Sequence, residues 1–375
     1  MTMRSQVLRK YSMVIAFALI CGFFALTCDQ FLGARNLSML TIELSITATL
    51  ALGMLLVILP GQIDLSVGSG VGLIGGVASV LVFRHGWPAG WAMALGLVLG
   101  ICVWYLMGRL IVRQKMPAFI ITLGGLLVFK GLFWLIIKNS TVPVVHGGEN
   151  NIYSCLSTYY LPPTAGYLLA VACAGALAYL NIVAVKKRRA YRMPVDDSET
   201  VFLKTLIPAQ LIFLFVVIAN QFRGIPLTVI ILSVVMLAVV VVTEHTPFGR
   251  YLYAIGGNEE AALVSGVPVE RVMVGAFAIL GAIVAVTGFM QTAYAGASTT
   301  TVGELMELDA IAACVIGGTS LKGGRGTPMG VLFGALIMAT LLNGMTLLAV
   351  SPEFKYIARG SILALAVWLD MRLNR

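Results

Sequence analysis

The sequence has very little charge. Asp, Glu, Lys and Arg make up 11% of its 375 residues, whereas a soluble domain carries about 25%. Apolar residues make up 59%, and the mean hydropathy is +0.96. A chain with so few charged side chains cannot cover a soluble globular surface, and the composition therefore indicates a polytopic membrane protein.

Cysteine and histidine are also scarce. The six cysteines show no Cys-x-x-Cys spacing, and the three histidines, His85, His146 and His245, are scattered. These patterns argue against a disulfide framework and against a metal site. The chain also lacks a phosphate-binding loop and a serine nucleophile elbow. We therefore expect a protein that is not an enzyme, has no catalytic residues and needs no metal or other cofactor.

Apolar runs account for most of the chain. They lie near residues 11–28, 40–59, 65–83, 90–112, 118–137, 164–185, 205–220, 225–243, 272–290, 306–317, 328–350 and 356–370. Most approach the roughly 20 residues that a helix needs to cross about 30 Å of hydrocarbon. The run at 306–317 is too short, and the run at 65–83 is rich in glycine. The sequence predicts an all-α membrane protein: one permease-like domain, 1–375, with 10–12 transmembrane helices and one or two short or re-entrant segments.

The net charge of +9 is unevenly distributed between the two sides of these runs. If the runs alternate in direction and the chain starts inside, the outside loops hold only Arg35, Arg84, Lys138, Arg223 and Lys355. This positive-inside bias places both termini in the cytoplasm. It also predicts an extracytoplasmic loop at 138–163 and cytoplasmic loops at 186–204 and 244–271. The basic charge is therefore topological, so we expect contact with membrane lipid and no nucleic-acid partner.

A polar, glycine-punctuated segment, Tyr253–Arg271, separates two long apolar runs. It contains two glycines for a turn, an N-cap asparagine, two glutamates for the positive end of a helix and a glycine for its exit: Gly256, Gly257, Asn258, Glu259, Glu260 and Gly266. The predicted helix, Glu259–Ser265, is too short to be stable alone in water. Headgroups or a partner protein would have to hold it, unless the segment is an ordinary interhelical loop.

Several acidic residues lie within or beside apolar runs, where a charge is costly. They are Glu43, Asp64, Glu304, Glu307 and Asp309. Asp64 and Asp309 both begin apolar segments, so they are interpreted either as charges at the N-terminus of a half-helix or as polar groups lining a path for a polyhydroxylated substrate. Lys130 lies near the middle of an apolar run, where it either snorkels or pairs with a buried carboxylate such as Glu43, Glu307 or Asp309.

Two parts of the chain faintly repeat each other. Residues 61–76 and 304–324 both place an aspartate ahead of an apolar segment that ends in Gly-Gly. Many transporters build a central pathway from such duplicated, interrupted helices. Glycines at four-residue spacing, such as Gly96 and Gly100, further predict closely packed helices.

Four stretches, 53–69, 117–131, 248–272 and 307–337, resemble the permease subunits of bacterial ABC importers for monosaccharides, the ribose, arabinose, galactose and xylose group. The run LDAIAACVIGGTSL and the closing ILALAVWLD look most like the members that carry D-xylose. The resemblance covers nearly the whole chain. One departure is Lys130, where members of the family often have arginine, which forms bidentate contacts that lysine cannot.

The resemblance implies a multi-pass subunit of the bacterial inner membrane, paired with a second copy of itself. A periplasmic binding protein would deliver the sugar, and two copies of a separate cytoplasmic ATPase would hydrolyse ATP. It implies ATPase-coupling roles for Gly256, Gly257, Asn258, Glu259, Glu260, Ala261, Ala262 and Gly266. The candidate translocation-pathway residues are Glu43, Asp64, Ser66, Lys130, Glu307 and Asp309.

Three alternatives stay open from the residues alone. The chain is compatible with an ion-coupled secondary transporter in which Glu43, Asp64 and Asp309 carry protons or sodium ions. It is also compatible with a membrane scaffold or receptor that transports nothing. The third alternative is an importer of the same fold for branched-chain amino acids or a signalling furanone.

Overall fold

The computed structural model describes residues 3–148, 150–195 and 197–373. Within them the chain forms fifteen helices: α1 Met3–Thr27, α2 Ala34–Ile58, α3 Val67–Phe83, α4 Ala89–Gln114, α5 Ala118–Ile137, α6 Ile152–Thr158, α7 Pro163–Ala190, α8 Ser198–Asn220, α9 Leu227–His245, α10 Pro247–Gly257, α11 Glu259–Val264, α12 Val269–Ala295, α13 Met306–Ile316, α14 Pro328–Leu347 and α15 Pro352–Leu373. Four two-residue strands are β1 Val142–Pro143, β2 Tyr160–Leu161, β3 Ile225–Pro226 and β4 Ala297–Ser298.

Eight helices of the described residues are long and apolar enough to cross a membrane, namely α2, α4, α5, α7, α8, α9, α12 and α14. Two shorter apolar stretches, Met13–Thr27 within α1 and Val67–Phe83, which is α3, bring the number of apolar candidates to ten. The predicted all-α polytopic architecture is therefore confirmed.

The helices in the apolar runs 65–83 and 306–317 are short, as the sequence predicted. With 17 residues at 1.5 Å each, α3 is about 25 Å long, and with 11 residues α13 is about 16 Å long. Neither reaches the roughly 30 Å of a hydrocarbon core as a straight helix. Their first turns lie beside each other in the bundle, since Gly68 of α3 packs against Gly303 and Glu307.

The centre of the bundle is built on α2 and α12, which have the longest series of buried residues. Both pack against each other, and α3, α4, α13 and α14 surround them. In contrast, α7 and α8 pack mainly on each other, and each has only two buried residues among those described. The α7–α8 hairpin is therefore a peripheral element of the bundle.

The strands tie loops together at one end of the bundle. Antiparallel pairs join β1 with β4 and β2 with β3, so that the connection between α5 and α7 contacts the loops after α8 and α12. We call this the β end. The opposite end carries α10 and α11, where Gly324 donates its N–H to the carbonyl of Leu59 (2.8 Å). We call this the α11 end.

The three predicted loops contain more helix than expected. Residues 138–163 include α6, and residues 244–271 include all of α10 and all of α11. The connection at 186–204 is shorter than predicted, because α7 continues through Lys186–Arg189 to Ala190 and α8 starts at Ser198. Lysine and arginine are good helix formers, so a helix can continue through them beyond its apolar part.

Glycines allow the close helix packing that their spacing predicted. Gly100 of α4 faces Gly281 of α12, and a Cβ at Gly100 would lie 2.6 Å from the carbonyl oxygen of Gly281. Gly334 of α14 packs in the same way on the backbone of α13 at Ala313. A larger side chain at either position would force the two helices apart.

Candidate functional site

The segment with α10 and α11 is held by two side-chain caps. The Thr246 hydroxyl accepts the N–H of Gly249 at the start of α10, and Asn258 Oδ1 accepts the N–H of Ala261 (2.9 Å) at the start of α11. Glu259 and Glu260 occupy the first turn of α11. The predicted short helix and its asparagine cap are therefore confirmed.

The exit from α11 also agrees with the prediction. Gly266 has a φ of +83°, a left-handed conformation that favours glycine. Of the two helical alanines that the resemblance placed in the segment, Ala261 is exposed and Ala262 is buried. One face of α11 is thus exposed, and the other packs against the bundle.

The two glycines before α11 have roles other than the predicted turn. Gly256 and Gly257 form the helical end of α10, and neither has a positive φ. Gly256 lies directly against the backbone of Leu59 and Gly324, and a Cβ there would overlap both. Gly257 faces open space. The prediction of a turn was wrong for this pair, because close backbone packing between distant segments requires the first glycine.

This contact joins three segments at the α11 end. The Tyr253 hydroxyl donates to the carbonyl of Gly326 (2.8 Å), next to the hydrogen bond between Gly324 and Leu59. Leu59 leads into the connection that carries Asp64, and Gly324 lies in the connection that follows α13. We call the contact among Leu59, Gly256 and Gly324 the backbone junction.

A groove of about 530 Å³ lies beside α11. Its lining includes Gln62, Lys115, Glu259, Leu263 and Met273. The groove therefore lies between α11 and the connection from α4 to α5, and Gln62, Lys115 and Glu259 make part of its lining polar.

Asp64 lies at the start of α3 and is fully buried. Its Oδ1 accepts hydrogen bonds from the N–H (2.7 Å) and the hydroxyl (2.6 Å) of Ser66, and its Oδ2 accepts the indole N–H of Trp104 (2.7 Å). The carboxylate satisfies a backbone N–H group that the helix leaves without a partner. Asp64 thus has the N-terminal role that the sequence predicted, and Ser66 donates two of its three hydrogen bonds.

Glu307 lies in the first turn of α13, is 8% exposed and packs against Gly68. Together with Ser69, Lys130 and Glu304 it lines a cavity of about 200 Å³. The structure thus brings Glu307 and Lys130 to one cavity, next to the turn of α3 that Asp64 and Ser66 begin.

Lys130 forms no ion pair within 4 Å among the described residues. Its Nζ lies 5.4 Å from the centre of the Trp134 ring, which corresponds to a cation–π contact. Glu307 and Glu304 line the same cavity, where Lys130 is the basic residue of the lining. The proposed direct pair with a carboxylate is therefore not formed in this structure, although the positive charge faces two acidic side chains.

Replacing Lys130 with leucine should lower substrate uptake by roughly tenfold, or about 1.4 kcal/mol, because the two carboxylates then lack a nearby positive charge. The matched control is Lys138→Leu, which removes an exposed lysine at the end of the same helix. Uptake by membrane vesicles is measured at equal expression. Wild-type expression and uptake in Lys130→Leu would show that the cavity needs no positive charge.

Asp309 is the second acidic residue in the first turn of α13, and it is 6% exposed. Its Oδ1 lies 3.1 Å from Nε of Arg359, at ion-pair distance but without the angle of a hydrogen bond. Sequence reasoning missed Arg359. The signal was its position inside the apolar run 356–370, where an unpaired arginine is costly.

The hydrogen-bond partners of Glu43 are not among the other predicted pathway residues. Its carboxylate accepts hydrogen bonds from the Tyr294 hydroxyl (3.0 Å) and from Nδ2 of Asn343 (3.3 Å). Asn36 in turn donates to Oδ1 of Asn343 (3.0 Å). These bonds join α2, α12 and α14 near the β end, so Glu43 has the contacts of a structural residue of the core.

The chain is similar to known proteins along almost its whole length. A family model described as the permease component of branched-chain amino acid transport systems matches residues 36–367. The xylose transport system permease protein of Escherichia coli (strain K12) is 38% identical over 379 residues, which cover 100% of this chain and 94% of that protein. Its counterpart from Haemophilus influenzae is 40% identical over 374 residues, with 98% and 97% covered.

A ribose import permease protein of Bacillus subtilis is 31% identical over 366 residues, which cover 98% of this chain and 94% of that protein. No solved structure matches the chain. The family model spans most of the chain, and the relatives match the chain nearly from end to end. Among the residues that the structure describes, eight helices are long and apolar enough to cross a membrane. The chain therefore belongs to this permease family and is a multi-pass, membrane-spanning transport subunit.

Proposed function

We propose that the chain is the permease subunit of an ATP-driven, binding-protein-dependent importer of D-xylose or a related monosaccharide in a bacterial inner membrane. The observation that carries this proposal is the identity of 38–40% to xylose transport permeases over nearly the full length of both chains. The identity to a ribose permease is lower, at 31%. This order favours a pentose, and xylose in particular, as cargo.

The orientation follows from the positive-inside bias. Both termini, the connection at 186–204 and the α11 end then face the cytoplasm, and the connection at 138–163 and the β end face the periplasm. In this orientation α10 and α11 contact the ATPase, while the periplasmic sugar-binding protein docks at the β end. Two permease copies and two ATPase copies complete the importer.

The backbone junction supports a mechanical role for α10 and α11. Gly256 contacts Leu59 at the end of α2 and Gly324 in the connection after α13. The chain runs from Leu59 into α3, and it reaches Gly324 from α13. A displacement of α10 by the ATPase would therefore move α3 and α13, whose first turns carry Ser69 and Glu307 of the cavity. Such motion of rigid helices opens a pathway alternately to the two sides.

The pathway in this proposal follows the polar groups beside the first turns of α3 and α13. Lys130 and Glu307 line the cavity, Asp64 and Ser66 hold the start of α3, and Asp309 is fixed by Arg359. Hydroxyl groups of a sugar match such a mixture of donors and acceptors. Glu43 stabilises the wall of the pathway through its contacts with α12 and α14.

The function is tested by transport with the intact importer. The chain is co-expressed with candidate ATPase and binding-protein subunits, and uptake of radiolabelled D-xylose is measured. ATP depletion should stop uptake, whereas collapse of the proton and sodium gradients should leave it intact. The reverse outcome would support the ion-coupled alternative. If the importer takes up ribose but not xylose, the proposed cargo is wrong.

Two surface substitutions should uncouple the permease from its ATPase. Gly257→Trp places a bulky ring on the open face beside α11, and Glu259→Lys reverses a charge at the positive end of the helix, a change of about 0.3–1 kcal/mol in helix stability alone. Each should reduce ATP-dependent uptake at least tenfold and reduce co-purification of the ATPase, while membrane insertion stays normal. Gly257→Ala and Glu259→Gln are the matched controls. Unchanged uptake in both Gly257→Trp and Glu259→Lys would contradict docking at α11.

A further inference from the structure

A second groove lies between α4 and α12 at the α11 end, on the outer side of the bundle. Its volume is about 590 Å³. Its lining comprises Tyr105, Arg109, Val112, Arg113, Glu270, Arg271, Val274, Gly275 and Ala278. The last turn of α4 and the first turn of α12 form its mouth, and the groove runs from there along both helices.

The mouth of the groove is strongly basic. Arg113 and Arg271 are exposed at the mouth, Arg109 is exposed one turn further in, and Glu270 is the acidic side chain of the lining. Three guanidinium groups against one carboxylate leave an excess of two positive charges. Guanidinium groups bind phosphate through paired hydrogen bonds, so the mouth is suited to a phosphate group.

Arg109 lies deeper than the other two arginines. It precedes Arg113 by one helical turn and falls inside the apolar run 90–112. Its Nη1 donates to the Tyr105 hydroxyl, a further turn into the groove (3.3 Å). Arginine and tyrosine at this level have a polar end and an apolar body, which is the arrangement found at a membrane surface.

The floor of the groove is apolar and shallow. Val112, Val274 and Ala278 line it with small side chains, and Gly275 adds none. These residues are half-buried, whereas their neighbours Met273, Ala276 and Phe277 on α12 are buried in the core. A hydrocarbon chain can lie along such a floor and cover apolar surface there.

From this combination we propose that the groove binds one anionic glycerophospholipid of the membrane, such as phosphatidylglycerol. Its phosphate contacts Arg109, Arg113 and Arg271, and one acyl chain lies along Val274, Gly275 and Ala278. The excess positive charge selects an anionic headgroup over a zwitterionic one, because basic pockets between transmembrane helices attract anionic lipid. The apolar floor selects a lipid over a free phosphate. The inference does not depend on which cargo the permease carries.

Native mass spectrometry of the full-length protein in detergent, titrated with phosphatidylglycerol, tests the charge requirement. We expect Arg109→Gln with Arg113→Gln to weaken binding at least tenfold. The control, Lys186→Gln with Lys187→Gln, removes two basic residues from the end of the peripheral helix α7 and should change binding less than twofold. Equal weakening by both pairs would mean that the lipid responds only to overall charge, and would overturn the site.

Two further arms test the rest of the proposal without removing charge. Ala278→Leu fills the floor, keeps every arginine and should also weaken phosphatidylglycerol binding severalfold. In the unsubstituted protein, phosphatidylethanolamine and inorganic phosphate should each compete at least tenfold less well than phosphatidylglycerol. Equal competition by phosphatidylethanolamine would refute anionic selectivity, equal competition by phosphate would refute a lipid ligand, and normal binding by Ala278→Leu would refute the acyl-chain position.

Discussion

Replacing Asp64 with alanine is expected to abolish transport and to destabilise the bundle. The carboxylate is fully buried and accepts three hydrogen bonds, two from Ser66 and one from Trp104. Alanine leaves the Ser66 backbone N–H and the Trp104 indole N–H buried without an acceptor. Each such donor costs about 1–3 kcal/mol, so the expected loss of stability is roughly 2–6 kcal/mol. The thermal unfolding midpoint and vesicle uptake are the measurements.

The smaller change Asp64→Asn tests the contributions of Ser66 and Trp104 separately. An asparagine keeps one oxygen for Ser66 but turns an NH₂ group toward the indole N–H of Trp104, so two donors face each other. Trp104→Phe removes that indole donor. The double variant Asp64→Asn with Trp104→Phe should therefore be more stable than the sum of the two single losses predicts.

The control for Asp64 is Asp29→Ala, which removes an exposed aspartate from the connection between α1 and α2. It should leave stability and uptake unchanged. If Asp64→Ala unfolds at the same temperature as the Asp29 control, the buried hydrogen bonds contribute little, and the start of α3 is fixed by packing alone.

Local signals explain what the sequence predicted correctly. An asparagine followed by two glutamates and then a glycine predicts a capped short helix without any knowledge of the fold, and α11 has that form. The length and glycine content of 65–83 and 306–317 likewise predicted the two short helices, α3 and α13. Asp64 was placed at a helix N-terminus because its position before an apolar segment is also local information.

Partners that are distant in the chain could not be predicted in this way. Trp104 is 40 residues from Asp64, and Tyr294 is 251 residues from Glu43. In a chain whose runs are almost all apolar, hydropathy does not reveal which helices are neighbours. The same limit explains why Gly256 was interpreted as part of a turn, since its role depends on the backbone of two distant segments.

Gly256→Ala should reduce uptake at least tenfold, or about 1.4 kcal/mol, although it adds a single methyl group. That methyl group would overlap the backbone of Leu59 and Gly324, which cannot rotate away as a side chain can. The backbone junction would have to open, and inserting atoms into such a packed contact typically costs 1–3 kcal/mol. Gly257→Ala is the matched control, because its methyl group meets no atom within 4 Å, and it should keep at least half of the uptake.

Gly256→Ala and Gly257→Trp should fail at different steps, which separates the role of the backbone junction from that of the ATPase-docking surface proposed at α11. Gly256 is packed inside the contact, whereas α11 and Gly257 are accessible from outside, so Gly256→Ala should still co-purify with the ATPase while transport fails. Gly257→Trp should instead lose the ATPase. If Gly256→Ala transports normally, the junction carries no motion from α10 to α3 and α13. If it loses the ATPase as well, its effect reaches the docking surface, and the separation of the two roles is wrong.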